Sequence, residues 1–193
     1  MELPVLVKFW GTRGSLARAM GPAAFIGRVG QLADEARNQG IQFLDDFIVA
    51  LNSKKLADPP VYGGNTSCTE ISHGNASIFV DMGTGFREAG TKAIAEGRKK
   101  FNIFCTHMHW DHIAGLPFFV PIYSPDVSIE IYHVHLNAPE YIKINFNGVN
   151  FPIKWQELPA KVTFHQIKVY ETVDIDGMSV TPCLLYTSDA ADE

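Results

Sequence analysis

FNIFCTHMHWDH, residues 101–112, joins a short apolar run to a cluster of metal-type donors. Residues 101–105 have the texture of a strand buried on both faces. His107, His109, Asp111 and His112 follow within six residues. Neutral imidazole and carboxylate are donors for zinc and similar borderline divalent ions. A loop at a strand end lets such closely spaced side chains converge, whereas a strand or helix continuing through them would splay them apart. Two ions about 3.5–4 Å apart need two ligand sets. His107 and His109 can hold one ion, while Asp111 and His112 hold the other. A histidine-rich surface loop or a single structural metal is the alternative. The full HxHxDH string is far more specific than a lone HxH.

Working outward, residues 4–10 alternate loosely and predict a strand, closed by the turn residues 11–15. From 22 to 56 the texture is helical. Ile26, Val29 and Leu32 share one face, and after Gly40 so do Phe43, Phe47, Ala50 and Leu51, with Ile41, Leu44 and Ile48 widening the stripe. Two amphipathic helices with a break near 38–40 are expected. Residues 57–60 act as a stop, and 62–65 as a tight turn. Residues 66–72 and 76–81 predict a hairpin turning at 73–75. The sequence Gly83-Thr84-Gly85 leads into a helix over about 86–99. Such a glycine turn can bind an anion through backbone N–H groups, but a plain tight turn is the simpler reading. Downstream come a Pro-rich apolar stretch (116–125), a strand (127–133), a short helix (138–146), and strands at 162–164, 167–170 and 178–181. Strand–helix–strand passages imply an α/β layered architecture.

Composition narrows the function. The 193 residues suffice for one domain, and 46% hydrophobic against 19% charged residues excludes compositional disorder. A net charge of −5 argues against a nonspecific nucleic-acid binder driven by bulk positive charge. No apolar run reaches the roughly eighteen residues of a membrane span, and the N-terminus lacks the pattern of a secretory signal. Cys68, Cys105 and Cys183 are too few and too scattered for a disulfide framework, so a cytoplasmic protein with buried thiols is expected. Other histidines carry weaker signals. His73 is expected in an exposed turn, His165 in a structural role, and His133 and His135 on one strand face outside the metal motif.

The chain resembles the metallo-β-lactamase fold superfamily, whose signature is HxHxDH. FWGTRGS (9–15), YGGNTSC (62–68), DMGTGFRE (81–88) and THMHWDHIAGLPFF (106–119) are similar to successive blocks of its phosphodiesterase-like subgroup. That subgroup is related to tRNA-processing nucleases and phosphonate-pathway cyclic phosphodiesterases. The resemblance implies an αββα sandwich, of which the chain would carry the first half and part of the second. It implies that His107, His109, Asp111 and His112 ligate two divalent ions, zinc first, with manganese or iron as alternatives. It also implies that Asp81 stands behind a ligand imidazole and fixes it. From the residues alone, Asp81 reads more simply as a carboxylate at a helix N-terminus. Arg13 can reach a substrate phosphate or form a salt bridge. Asn65 can line the cleft or build a turn.

Two departures from the family pattern shape the expectations. The family's further ligands, a histidine, a bridging aspartate and a last histidine, are not found after residues 175–183. Residues 184–193 change texture and resemble a non-native tail, leaving 1–183 as an incomplete domain. The stretch 16–60 forms a helical insertion that could serve as a lid, a clamp or a dimer contact. The expected function is a dinuclear metal-dependent phosphodiesterase using metal-activated water, with Asp111 in the catalytic centre. Its substrate would be a small-molecule or nucleotide phosphodiester, with nucleic acid left open. The isolated chain is expected to be poorly stable and inactive. A hydrolase of another ester or a lactam, or a noncatalytic metal-binding module, are the alternatives.

Overall fold

The computed structural model describes residues 4–17, 19, 22–52 and 64–184. Its strands are β1 (Val5–Gly11), β2 (Cys68–His73), β3 (Ala76–Val80), β4 (Lys100–Cys105), β5 (Ser128–His133), β6 (Lys161–Gln166), β7 (Val173–Ile175) and β8 (Met178–Val180). Its helices are α1 (Pro22–Asn38), α2 (Leu44–Asn52), α3 (Gly85–Ala95), α4 (Trp110–Ile113) and α5 (Ala138–Lys143). The chain divides into two units, residues 18–64 and the remainder.

In the larger unit, six strands form one sheet in the order β1-β2-β3-β4-β5-β6. The first two pairings are antiparallel and the next three parallel. Period-two alternation sorts the side chains onto two faces. Phe79, Phe101, Ile103, Ile129 and Ile131 pack with Phe86, Ala89, Ala93 and Phe119 in the main core. The buried residues Phe86, Ala89, Gly90 and Ala93 form one stripe of α3. Ile78 and Phe104 face the other way and pack with Ile167, Ile175 and residues of β7 and β8. This mixed sheet flanked by helices is the α/β layered architecture expected from the sequence. The Pro-rich stretch at 116–125 folds into two short 3-10 turns, Leu116–Phe118 and Val120–Tyr123.

Three element boundaries differ from expectation. Helix α3 ends at Ala95 instead of 99 because Gly97 adopts φ +69°. There Gly97 N–H donates to Ile94 O and Arg98 N–H to Ala93 O, a Schellman stop. Helix α5 ends at Lys143, where the Asn145 side chain donates to the Tyr141 and Ile142 carbonyls. Residues 167–170 do not form a strand: β6 already covers Lys161–Gln166, and Tyr170 turns the chain at φ +64°. The unpredicted β7 instead pairs with β8 through Asp176 and Gly177, both at positive φ. Asp-Gly is the dipeptide that such a hairpin turn favours.

The smaller unit holds α1 and α2, with Gly40 at φ +73° in the expected break. Ala36 and Ala50 are buried there, with Leu32, Ile41 and Phe47 packed against them. The expected apolar stripe is only partly covered, since Ile26, Val29, Phe43, Leu44 and Ile48 are exposed. The expected stop at 57–60 and the first half of the 62–65 turn lie outside the described residues. So does all of the 184–193 tail except Leu184.

Candidate metal centre

β3 and β4 run parallel, so the residues after their C-terminal ends share one edge of the sheet. Asp81 follows β3, and the motif follows β4. The Thr106 N–H and hydroxyl donate to Asp81 Oδ1 at 2.9 and 2.8 Å. Oδ2 of Asp81 accepts from Ser67 Oγ at 3.2 Å and His112 Nδ1 at 2.7 Å. Asp81 is only 3% exposed and sits at φ +64°. That left-handed conformation is unfavourable for an L-residue, and the ring of donors around the carboxylate holds it in place.

These contacts fix two imidazole tautomers. A carboxylate only accepts, so Nδ1 of His112 carries the proton, leaving Nε2 to face outward chemistry. The Thr106 hydroxyl hydrogen is committed to Asp81, so its 3.0 Å contact with His107 takes a proton from His107 Nδ1. Nε2 of His107 is therefore left with its lone pair. The His107 ring lies 4.6 Å from that of His109 and 3.9 Å from that of His112. Oδ2 of Asp111 lies 3.5 Å from His112 Nε2 and accepts the Ser15 N–H at 2.9 Å. The four donors thus converge, although among the described residues no three His, Cys, Asp or Glu side chains close around one metal-sized point.

The local backbone differs from a pure loop. The extended segment ends at His109, and the helical turn α4 opens at Trp110, carrying Asp111 and His112. Only one turn forms, so the donors stay together. Backbone contacts clamp it: Met82 N–H donates to His112 O at 2.7 Å, and Gly115 N–H to Met82 O at 2.8 Å. A Cβ on Gly83 would stand 2.2 Å from Asp111 O, and one on Gly115 1.9 Å from Gly83 O. Glycine is needed at both positions because two backbones touch there.

Electrostatics suits the donors to a cation. Burial, together with the neighbouring charge of His112, lowers the pKa of His107 and favours its neutral form. For His112 burial acts in the same direction, but the hydrogen bond and charge of Asp81 outweigh it and the pKa rises. Burial pushes Asp111 up, yet the Ser15 N–H and His112 overcome this and hold it below its ordinary value. Two neutral-capable imidazoles with fixed Nε2 atoms, a third imidazole and an ionised carboxylate fit a borderline divalent ion in donor chemistry.

The remaining sequence candidates separate clearly. Asn65 builds the turn: its carbonyl accepts the Thr12 and Arg13 N–H groups, and its Oδ1 accepts from Thr84 Oγ1. Arg13 is half-buried beside it, with no ion pair among the described residues. The Gly83, Thr84 and Gly85 N–H groups donate to Ser67 O, Thr66 Oγ1 and Thr66 O, so none is left for an anion. His73 is half-buried as the last residue of β2, not in an exposed turn. His133 ends β5 and is buried, with Nδ1 on His135 O, while His135 lies beyond the strand with Nε2 on Thr106 O. His165 contacts Glu130 at 2.7 Å and stacks on Tyr132. Cys68 and Cys105 are buried, and desolvation drives both pKa values up, that of Cys105 to about 12. Sequence reasoning missed Ser15 and Thr106 as supports of the donors. Only Thr106, adjacent to the motif, offered a local signal.

A profile of the metallo-beta-lactamase superfamily matches residues 61–185. The chain belongs to that superfamily. Among curated members, ribonuclease Z of Streptococcus gordonii is 33% identical over 92 residues, covering 48% of this chain and 29% of that protein. Ribonuclease Z of Streptococcus uberis is 34% identical with the same coverage. The match thus spans less than a third of these superfamily relatives. A diphosphatase from the PhnP family overlaps 64% of this chain and 45% of its own, with 22% identity and a TM-score of 0.45. No helix among the described residues is long and apolar enough to cross a membrane.

Proposed function

We propose that the protein is a dinuclear metal-dependent hydrolase of phosphodiesters. The observation that carries the reading is the Asp81-centred network, which fixes His112 and, through Thr106, His107 with both Nε2 atoms available. In this reading His107 and His109 hold one ion and Asp111 and His112 the other, while Asp81 acts by positioning. Bound divalent ions, zinc first and manganese or iron as alternatives, supply acidified water and draw charge from a phosphoryl oxygen. Asp111 stays ionised, held by Ser15 N–H. The Arg13 guanidinium, without an ion pair among the described residues, contributes charge-assisted hydrogen bonds to a substrate phosphate, and Asn65 braces its turn. The diester class rests on the likeness to ribonuclease Z, which concerns under half of this chain.

The test is hydrolysis of bis-p-nitrophenyl phosphate, a cyclic nucleotide and a lactam by protein loaded with zinc or manganese. Turnover of the diesters, lost in Asp111→Ala with the fold intact, supports the reading. Turnover of the lactam alone overturns it.

A further inference from the structure

Beside the metal loop lies a cavity of about 470 Å³. Its wall begins inside the motif itself: Met108 and Trp110, which alternate with the donors, both line it. Four aromatic rings contribute, Trp110, Phe118, Tyr141 and Phe151, and the first three are 72%, 54% and 52% exposed. Large rings left this open mean an unfilled apolar surface, not core. Three asparagines, Asn145, Asn147 and Asn150, complete the polar lining, and no charged side chain lines the cavity among the described residues.

The amides are partly committed in ways that define what remains. Asn147 Oδ1 accepts the N–H groups of Val149 and Asn150, so its NH₂ is the free end. Asn145 donates its NH₂ to the Tyr141 and Ile142 carbonyls, so its Oδ1 is the free end. The pocket therefore offers flat apolar faces, the NH₂ of Asn147, the Oδ1 of Asn145 and the side-chain amide of Asn150, with no ionic group among the described residues. A lipid tail would leave the amides unpaired, and an anionic group would find no cation. A flat, neutral heterocycle with hydrogen-bonding edges satisfies both features. The volume is that of an ordinary small-ligand site.

We propose that this cavity holds a nucleobase of the substrate, next to the phosphodiester at the metal loop. The proposal deepens the phosphodiesterase reading and rests on it for the position of the phosphate. The base can belong to a mononucleotide or to a nucleic-acid chain.

The experiment uses the full chain without added metal, titrated by calorimetry with adenosine, with ribose and with an adenylate oligonucleotide. Tyr141→Ala and Asn147→Ala variants are compared, and thermal denaturation reports whether each folds. Adenosine should bind, ribose should not, and each folded variant should bind adenosine about tenfold more weakly, the loss of one stacking or paired contact. Tighter binding of the oligonucleotide, equally weakened by the variants, assigns the base to a nucleic-acid chain, whereas equal affinity assigns it to a mononucleotide. Absence of adenosine binding at about 10 mM, or binding unaffected in both folded variants, overturns the pocket. Methyl p-nitrophenyl phosphate, which has no base, is assayed in parallel with metal. Its hydrolysis without adenosine binding sinks the pocket alone. Adenosine binding without any diester hydrolysis sinks the phosphodiesterase reading alone.

Discussion

His112 Nδ1 lies 2.7 Å from Asp81 Oδ2, joining the last donor of the motif to a buried carboxylate 31 residues earlier. The same carboxylate receives Thr106, which in turn meets His107. One side chain at the end of β3 thus orients both ends of the donor string. Removing it should release both imidazoles. Asp81→Asn keeps a residue tolerant of the left-handed backbone, and should fold while weakening metal affinity about 10–100-fold. Asp81→Ala should also cost about 2–4 kcal/mol, because buried donors lose their acceptor. Metal titration and urea unfolding of both variants check this; unchanged affinity in Asp81→Asn would contradict it.

The pH dependence of metal-free stability follows from His112. Its folded pKa is raised above the unfolded value of 6.5. Its contribution is therefore fully present below that value and is lost as pH rises through the folded pKa. Metal-free protein should lose stability as the pH rises above about 6.5, and His112→Gln should flatten that part of the profile. Thermal denaturation of the two proteins across this window is the measurement. A wild-type slope preserved in His112→Gln would be the contrary result.

Gly83 and Gly115 should tolerate no side chain. Each Cβ would meet backbone atoms at 2.2 Å or closer, so the strand-end turn and α4 must separate. Gly83→Ala and Gly115→Ala should each destabilise by about 1–3 kcal/mol or more and displace Asp111. Gly14, whose surroundings are open, is the control, and Gly14→Ala should unfold at nearly the wild-type urea concentration.

Thiol reactivity should be confined to one cysteine. Cys183 is exposed, whereas Cys68 and Cys105 are buried with pKa values driven upward by desolvation. Native protein should release about one equivalent of thionitrobenzoate promptly from Ellman's reagent, and the remainder only on unfolding. Prompt reaction of all three thiols would mean that the core around Phe79 is not closed.

Much of the sheet could be read locally, because its signals are local. The apolar run before Thr106 is β4, and the turn between β2 and β3 is marked by Gly74 and Asn75. The break after α1 is marked by Gly40. The errors arose where periodicity and propensity alone were followed. The Lys-Arg-rich end of α3 looks helical, but Gly97 stops it. Residues 167–170 alternate like a strand, yet Tyr170 turns the chain, and Tyr170 N–H bonds Pro182 O. In the candidate site the donors form one contiguous string and are visible as such. Asp81 became a candidate for a ligand-fixing role only through family resemblance. Ser15, 96 residues from Asp111, could not be read at all, because its backbone N–H carries no residue-type signal.

Metal content measured after equilibration with zinc or manganese and removal of free ion tests the central claim most directly. The account predicts about two ions per whole protein, with a sharp loss in a His107→Ala, Asp111→Ala double variant that remains folded. Metal content that is negligible in the wild type, or identical in the folded double variant, would contradict it.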